Sequence, residues 1–183
     1  GVLQPEGVVL HLNMAALLEG SYDANTGLMH DSLRVRGLLP DHEPFTSMGL
    51  QTVGVQGGSQ LMPDALQVSG PDAVVDWVWV ELRDAGDASH VLAARAAVVQ
   101  RDGDVVDTDG ASPVRMTALP GFYRIALLHR NHLPVLTLNA LQLNAGSLNG
   151  FDLTAGDQPL HTPDAQVLHD GKYMLWRGDV NGD

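Results

Sequence analysis

Between residues 74 and 83 the chain alternates. Val78, Val80 and Leu82 fall on one side of an extended backbone, and Trp77, Trp79, Glu81 and Arg83 on the other. A period of two predicts a β-strand with one aliphatic face and one that is aromatic, then charged. Tyr123–Arg130 repeats the period, with Tyr123, Ile125 and Leu127 opposite Arg124, Ala126 and Leu128. Both of its faces are apolar, which predicts a central strand. Val91–Gln100 has the alanine content of a helix, but it runs into an Asp-Gly turn, and that position predicts a strand. Further strands are expected at Val8–Asn13, Leu66–Val68, Val114–Thr117, Val135–Leu143, Gly150–Leu153 and Lys172–Arg177. Short apolar runs between turn clusters are the pattern of an all-β, immunoglobulin-like antiparallel β-sandwich.

Residues 1–65 break this rhythm after their first strand, with turn signals at 22–27, 39–40 and 57–59. Long irregular segments either carry function or cover the edges of a core, and exposed edges invite aggregation. The expectation is a cover that also reaches the tryptophan face. The domain reading is one module over 1–177, with an irregular part over 1–65 and the main strands over 66–177. Residues 178–183 then begin a separate calcium loop. No internal repeat is present.

Charge narrows the function classes. The 22 acidic residues comprise 18 Asp and 4 Glu, against 9 Arg and one Lys, for a net charge of -12. Nucleic-acid binders carry basic stripes, so that class is excluded. Asp in excess of Glu favours turns and calcium ligation over helices. With no cysteine, neither a disulfide framework nor a thiolate ligand is available. No apolar run approaches the roughly 20 residues of a membrane-spanning helix.

Three groups of residues invite chemistry. Gly178-Asp179-Val180-Asn181-Gly182-Asp183 places oxygen side chains at 179, 181 and 183, as the first half of an EF-hand-type loop does. The closing bidentate carboxylate is absent, so this stub alone is expected to hold Ca²⁺ weakly. Asp102, Asp104, Asp107 and Asp109 put four carboxylates within eight residues, a density relieved either by solvation in Asp-Gly turns or by a bound calcium ion. Trp77 and Trp79 share one strand face about 7 Å apart, at roughly 3.3 Å per residue, a spacing on which sugar rings could stack unless a loop covers it. His129 and His132 invite a zinc reading, but residues three apart on a strand face opposite ways. The serines lie in no G-x-S-x-G setting, and the chain has no triad or phosphate loop.

The segments Leu18–Met29, Leu38–Pro40, Glu43–Phe45, Asp76–Asp84, Gln100–Asp107 and His129–Leu133 together resemble a module of large secreted surface proteins of Bacteroidetes-type bacteria, in which a dockerin-like GDVNGDG loop commonly follows. The resemblance runs over nearly the whole chain in order. Trp79 departs from it, an aliphatic residue being usual there. What it implies is a secreted or cell-surface, non-catalytic structural or adhesive (hemagglutinin-like) module. Its expected partners are other extracellular protein modules, or copies of itself joined through sheet edges as in a fibre. Glycans are an alternative partner through the tryptophan face.

Overall fold

A computed structural model describes residues 7–54 and 57–178. Its strands are β1 (Val8–Ala15), β2 (Tyr22–Asp23), β3 (Leu28–Met29), β4 (Val74–Asp84), β5 (Val91–Gln100), β6 (Asp104–Val106), β7 (Val114–Ala118), β8 (Gly121–His129), β9 (His132–Leu136), β10 (Leu141–Leu143), β11 (Leu148–Asp152), β12 (Gln166–His169) and β13 (Lys172–Leu175). One helical turn, α1 (Ser32–Val35), and two 3₁₀ turns complete the elements. The all-β sandwich that the strand spacing predicts is the fold found.

Among the described residues, nine strands form one sheet in the order β10-β8-β4-β5-β6-β1-β11, with β7 on β1 and β9 on β8. The sheet folds over on itself at β6, which pairs with β5 through Val105 and Val106 and with β1 through Asp104 and Val105. Between the halves lies the main core. Val78, Val80 and Leu82 of β4 meet Leu10, Leu12 and Met14 of β1, Val114 and Met116 of β7, and Tyr123, Ile125 and Leu127 of β8. The Tyr123 hydroxyl donates to the Leu119 carbonyl at 2.5 Å, a corner that immunoglobulin-type sandwiches also use. Every long pairing is antiparallel except β1 with β11, which run parallel from His11↔Leu148 to Ala15↔Asp152.

A second core lies outside this sandwich. Trp77, Trp79, Ala94, Ala96 and Val98 on the outer face of β4 and β5 pack against Leu39, Phe45, Leu61 and Ala65. The irregular segment is therefore a third layer, as expected. It also accounts for Ala94 and Ala96 of β5. Trp79 sits directly across from Ala96, and the next outer position, Glu81, across from Ala94. The small residue at Ala96 leaves volume that the Trp79 indole fills.

Three expectations about elements need correction. Leu66–Val68 is not a strand, because Pro63 opens a 3₁₀ turn through Gln67. Val135–Leu143 is two strands, β9 and β10, separated by residues 137–140. Lys172–Arg177 ends as a regular strand at Leu175, although Arg177 still bridges to His132.

Candidate functional site

The tryptophan platform does not exist as a surface. Trp77 and Trp79 are 0% and 1% exposed. The Trp77 indole N–H donates to the Pro40 carbonyl at 2.8 Å, which fastens the cover. The Trp79 indole N–H donates to Glu81 Oε1 at 3.1 Å, and its ring packs against Phe45 with centroids 5.7 Å apart. Glu81 in turn accepts from Arg83 Nε at 2.7 Å. The polar end of this face thus satisfies the indole, and no sugar can stack on either ring in this arrangement.

The four carboxylates of the acidic run do not converge. Asp107 is wholly buried and binds two guanidinium groups, Arg95 Nη2 at one oxygen and Arg115 Nε, 2.8 Å from the other. Arg95 is itself 2% exposed and also donates to the Ala96 carbonyl at 3.1 Å and the Arg115 carbonyl at 2.8 Å. Burial is the largest single influence on the Asp107 carboxyl and pushes it up. Arg115, Arg95 and the Thr108 N–H together outweigh burial and hold it below the ordinary carboxylate range. Asp109 is turned into its own loop, accepting from the Ala111 and Ser112 amides at 3.0 and 2.8 Å.

Asp102 and Asp104 lie at the other end of the run, and Asp102 Oδ1 accepts the Asp104 amide at 3.1 Å. The fold adds a carboxylate that the sequence pattern did not single out. Ala15 of β1 pairs with Asp104 on one side and Asp152 on the other. Both acids line an open cleft of about 330 Å³ with Asn13 and Phe151. Partial burial, followed by the charges of Asp102, Asp72 and Asp152, raises the Asp104 carboxyl above its ordinary value. Among the described residues no three His, Asp or Glu side chains are placed to share a metal ion, so the expected internal calcium site of Asp102, Asp104, Asp107 and Asp109 is not assembled. Its geometric obstacle is Asp107, whose oxygens are occupied by arginines. Asp179, Asn181 and Asp183 lie outside the described residues.

The remaining polar cluster is one that strand periodicity hides. On a continuous strand His129 and His132 would diverge, but Arg130 and Asn131 form a two-residue turn and His129 pairs with His132 across the β8–β9 hairpin. Cross-strand partners share a face. The rings meet edge to face, centroids 4.6 Å apart, with Nδ1 2.8 Å from Nδ1. His129 Nε2 lies 3.2 Å from Asp76 Oδ2 on β4, and His132 Nε2 lies 2.9 Å from the Glu19 carbonyl. Asp76 also accepts from Arg130 Nη2, at 3.0 and 2.9 Å, and from the Trp77 amide at 2.8 Å.

Burial raises the Asp76 carboxyl more than any other single influence, but His129, Arg130 and the Trp77 N–H together hold it below its ordinary value. Burial pushes the His132 imidazole down, and the Glu19 carbonyl only partly offsets this. The signal that could have revealed the pair is the Arg-Asn dipeptide between two apolar runs, a hairpin turn in which Asn is favoured. Two nitrogens on one tetrahedral zinc ion, each about 2.0–2.1 Å from the metal, stand roughly 3.4 Å apart. The observed 2.8 Å is instead the separation of two nitrogens joined by a hydrogen bond.

Comparison with family models, with curated proteins and with solved structures found no match to this chain.

Proposed function

We propose that this chain is a non-catalytic structural or adhesive module of a secreted bacterial surface protein. The supporting observation is where its chemistry-bearing side chains go. The two buried tryptophans fasten and fill the outer layer, and Asp107 locks Arg95 and Arg115. Among the described residues no buried side-chain nitrogen or oxygen lacks a hydrogen-bond partner. Side chains spent on one another hold a frame, and a frame leaves loops and edges as its contact surface. The resemblance to secreted surface modules supports the extracellular setting. Partners are other extracellular modules, or copies of the chain meeting at sheet edges. The segment from Asp179 is read as the start of a calcium loop completed by further ligands.

The test is attachment. The purified chain, coated on beads, is expected to retain beads on surfaces bearing extracellular glycoproteins or its own copies, and electron microscopy distinguishes discrete particles from fibres. Selective binding on a glycan array by the folded chain would favour the carbohydrate alternative through a surface other than the tryptophans. Turnover of peptide, ester or glycoside substrates that copurifies with the chain through two orthogonal columns would overturn the reading.

A further inference from the structure

We propose that the free edge of β11 receives an extended segment of a basic partner protein as an added antiparallel strand, with an arginine or lysine of that segment laid over Gly150 into the cleft beside Asp152 and Asp104. Such docking rests on the reading of this chain as a module that meets partners at its sheet edges, and it names the edge and the chemistry.

Among the described residues β11 ends the nine-strand path and pairs with β1 alone. The Leu153 amide donates to the Ala15 carbonyl at 2.9 Å, and this fixes the alternation along the strand. Residues 149, 151 and 153 turn their backbone groups to β1, whereas Leu148, Gly150 and Asp152 turn theirs away. No described residue hydrogen-bonds to those outward groups. A row of unpaired N–H and C=O groups is a template for another strand. The template is already held in place, because the buried Asn149 side chain accepts the Asn144 amide at 2.8 Å and donates to the His11 carbonyl at 3.1 Å. At the other end of the path β10 is only three residues long.

The face beside this edge is open as well. The outer face of β4 and β5 lies under the third layer, but on the outer face of β11 and β1 the residues Leu148, Gly150 and Asn13 are exposed. Cross-strand neighbours share a face, so the residue of an added strand opposite Gly150 points over the cleft. A Cβ at Gly150 would meet only the Asn13 carbonyl, at 3.8 Å, and a partner's side chain can pass there. Charge selects that side chain. Asp152 and Asp104 line the cleft on either side of Ala15. Asp152 gives Oδ1 to the Thr154 amide at 2.7 Å and keeps its other oxygen, and the Asp104 carboxylate accepts no hydrogen bond from a described residue. Asp102 and Asp72 add their charges at Asp104. Arg115, across from His11 on the same face, is bound to Asp107. With a net charge of -12, a second copy would bring the same sign to this edge, so the complementary occupant is a cationic head on a partner strand. Two residues further along, that strand passes the exposed Leu148, which suits an apolar side chain. The segment therefore reads basic-x-apolar.

The probe is an end-blocked peptide, TTTTRTVTT, titrated to about 1 mM into the ¹⁵N-labelled 183-residue chain. Shifts centred on Leu148, Gly150 and Asp152 are expected, and exchange of the Gly150 amide should slow about tenfold at saturation, the size of one new hydrogen bond. A glutamate in place of the peptide's arginine should weaken binding at least about tenfold, and methylating alternate peptide nitrogens should abolish it. Asp152→Asn, whose amide oxygen can still receive Thr154, should weaken it about tenfold. Gly150→Val suits a strand but fills the path over it, and should abolish binding with the circular dichroism unchanged. If that variant does not fold, the peptide series on the wild type decides. Equal binding of the arginine and glutamate peptides, no shift at Gly150, or tolerance of N-methylation would overturn the proposal. So would dimerisation of the chain alone through the Gly150 amide, which would make a second copy the occupant. Bead retention without peptide binding would overturn this docking and leave the adhesive reading standing; peptide binding without retention would do the reverse.

Discussion

The acidic run from Asp102 to Asp109 looks uniform as a sequence, yet its two halves have opposite energetics. Asp107 and Asp109 are held by arginines and amides, whereas Asp104 stands among the charges of three further carboxylates, Asp102, Asp72 and Asp152. Local charge density is the same in both halves. What differs is the partner that the fold brings from elsewhere: Arg95 and Arg115 from β5 and β7 at one end, Asp152 from β11 at the other. A cluster of like charges in a sequence therefore says nothing of its sign in the stability balance until the opposing strands are known.

The sharpest way to break the contrast is Asp107→Ala. Removing the buried anion strands two guanidinium groups, one of them itself buried, and should cost about 3–5 kcal/mol in a denaturant titration. Asp107→Asn should also destabilise, and millimolar calcium should restore neither variant. The pH signs oppose as well. Asp107 has a lowered folded pKa, so its stabilisation is present above the unfolded value of about 3.9 and is lost as pH falls through the folded one. Asp104 has a raised folded pKa, so its unfavourable contribution appears as pH rises from about 3.9 through the folded value. Acid unfolding of wild type and Asp107→Asn compared side by side should show the low-pH loss that belongs to Asp107 missing in the variant.

The second test attacks the arginine instead of the acid. Gly58 has φ +82°, and a Cβ there would collide with the Arg95 guanidinium and lie 2.8 Å from the Ala96 carbonyl. Gly58→Ala should cost about 1–3 kcal/mol, by strain and displacement of Arg95, and the loss should be sub-additive with that of Asp107→Ala. Asp109→Ala removes hydrogen bonds within a loop and should cost about 1 kcal/mol. Asp104→Asn should act in the other direction, raising Tm at neutral pH by no more than about 2 °C, because the group is open to solvent. The smallest expected effect is that of calcium on this chain, with Tm in millimolar Ca²⁺ and in chelator agreeing within about 1 °C. A larger rise, lost on Asp104→Asn, would show that the exposed half does gather an ion.

Much of the frame was legible because period-two patterning reports burial directly. The faces of β4 and β8 follow from residues 74–83 and 123–130, and the tryptophan face, too apolar for solvent, required a cover that the 1–65 segment supplies. Pairing was less legible. Nothing local to Asp107 announces Arg95, twelve residues earlier, and Val105-Val106 is too short a run to declare β6. Strand periodicity carried through Arg130-Asn131 makes His129 and His132 diverge, whereas the chain reverses there. In each case the missing information lay in which strand sits alongside, and that is fixed by contacts distant in the chain.

The parallel pairing of β1 with β11 carries a consequence in time. β1 leaves a ribosome well before β11, because Asn149, which donates to the His11 carbonyl, lies 138 residues further along. At about 5–20 residues per second, Leu10, Leu12 and Met14 would wait roughly seven to thirty seconds for that partner. The antiparallel partners β6 and β7 arrive earlier, but they too come from beyond residue 100. The strand that ends at the centre of the second layer is made before every strand that pairs with it, so its enclosure waits on long-range closure rather than on local order.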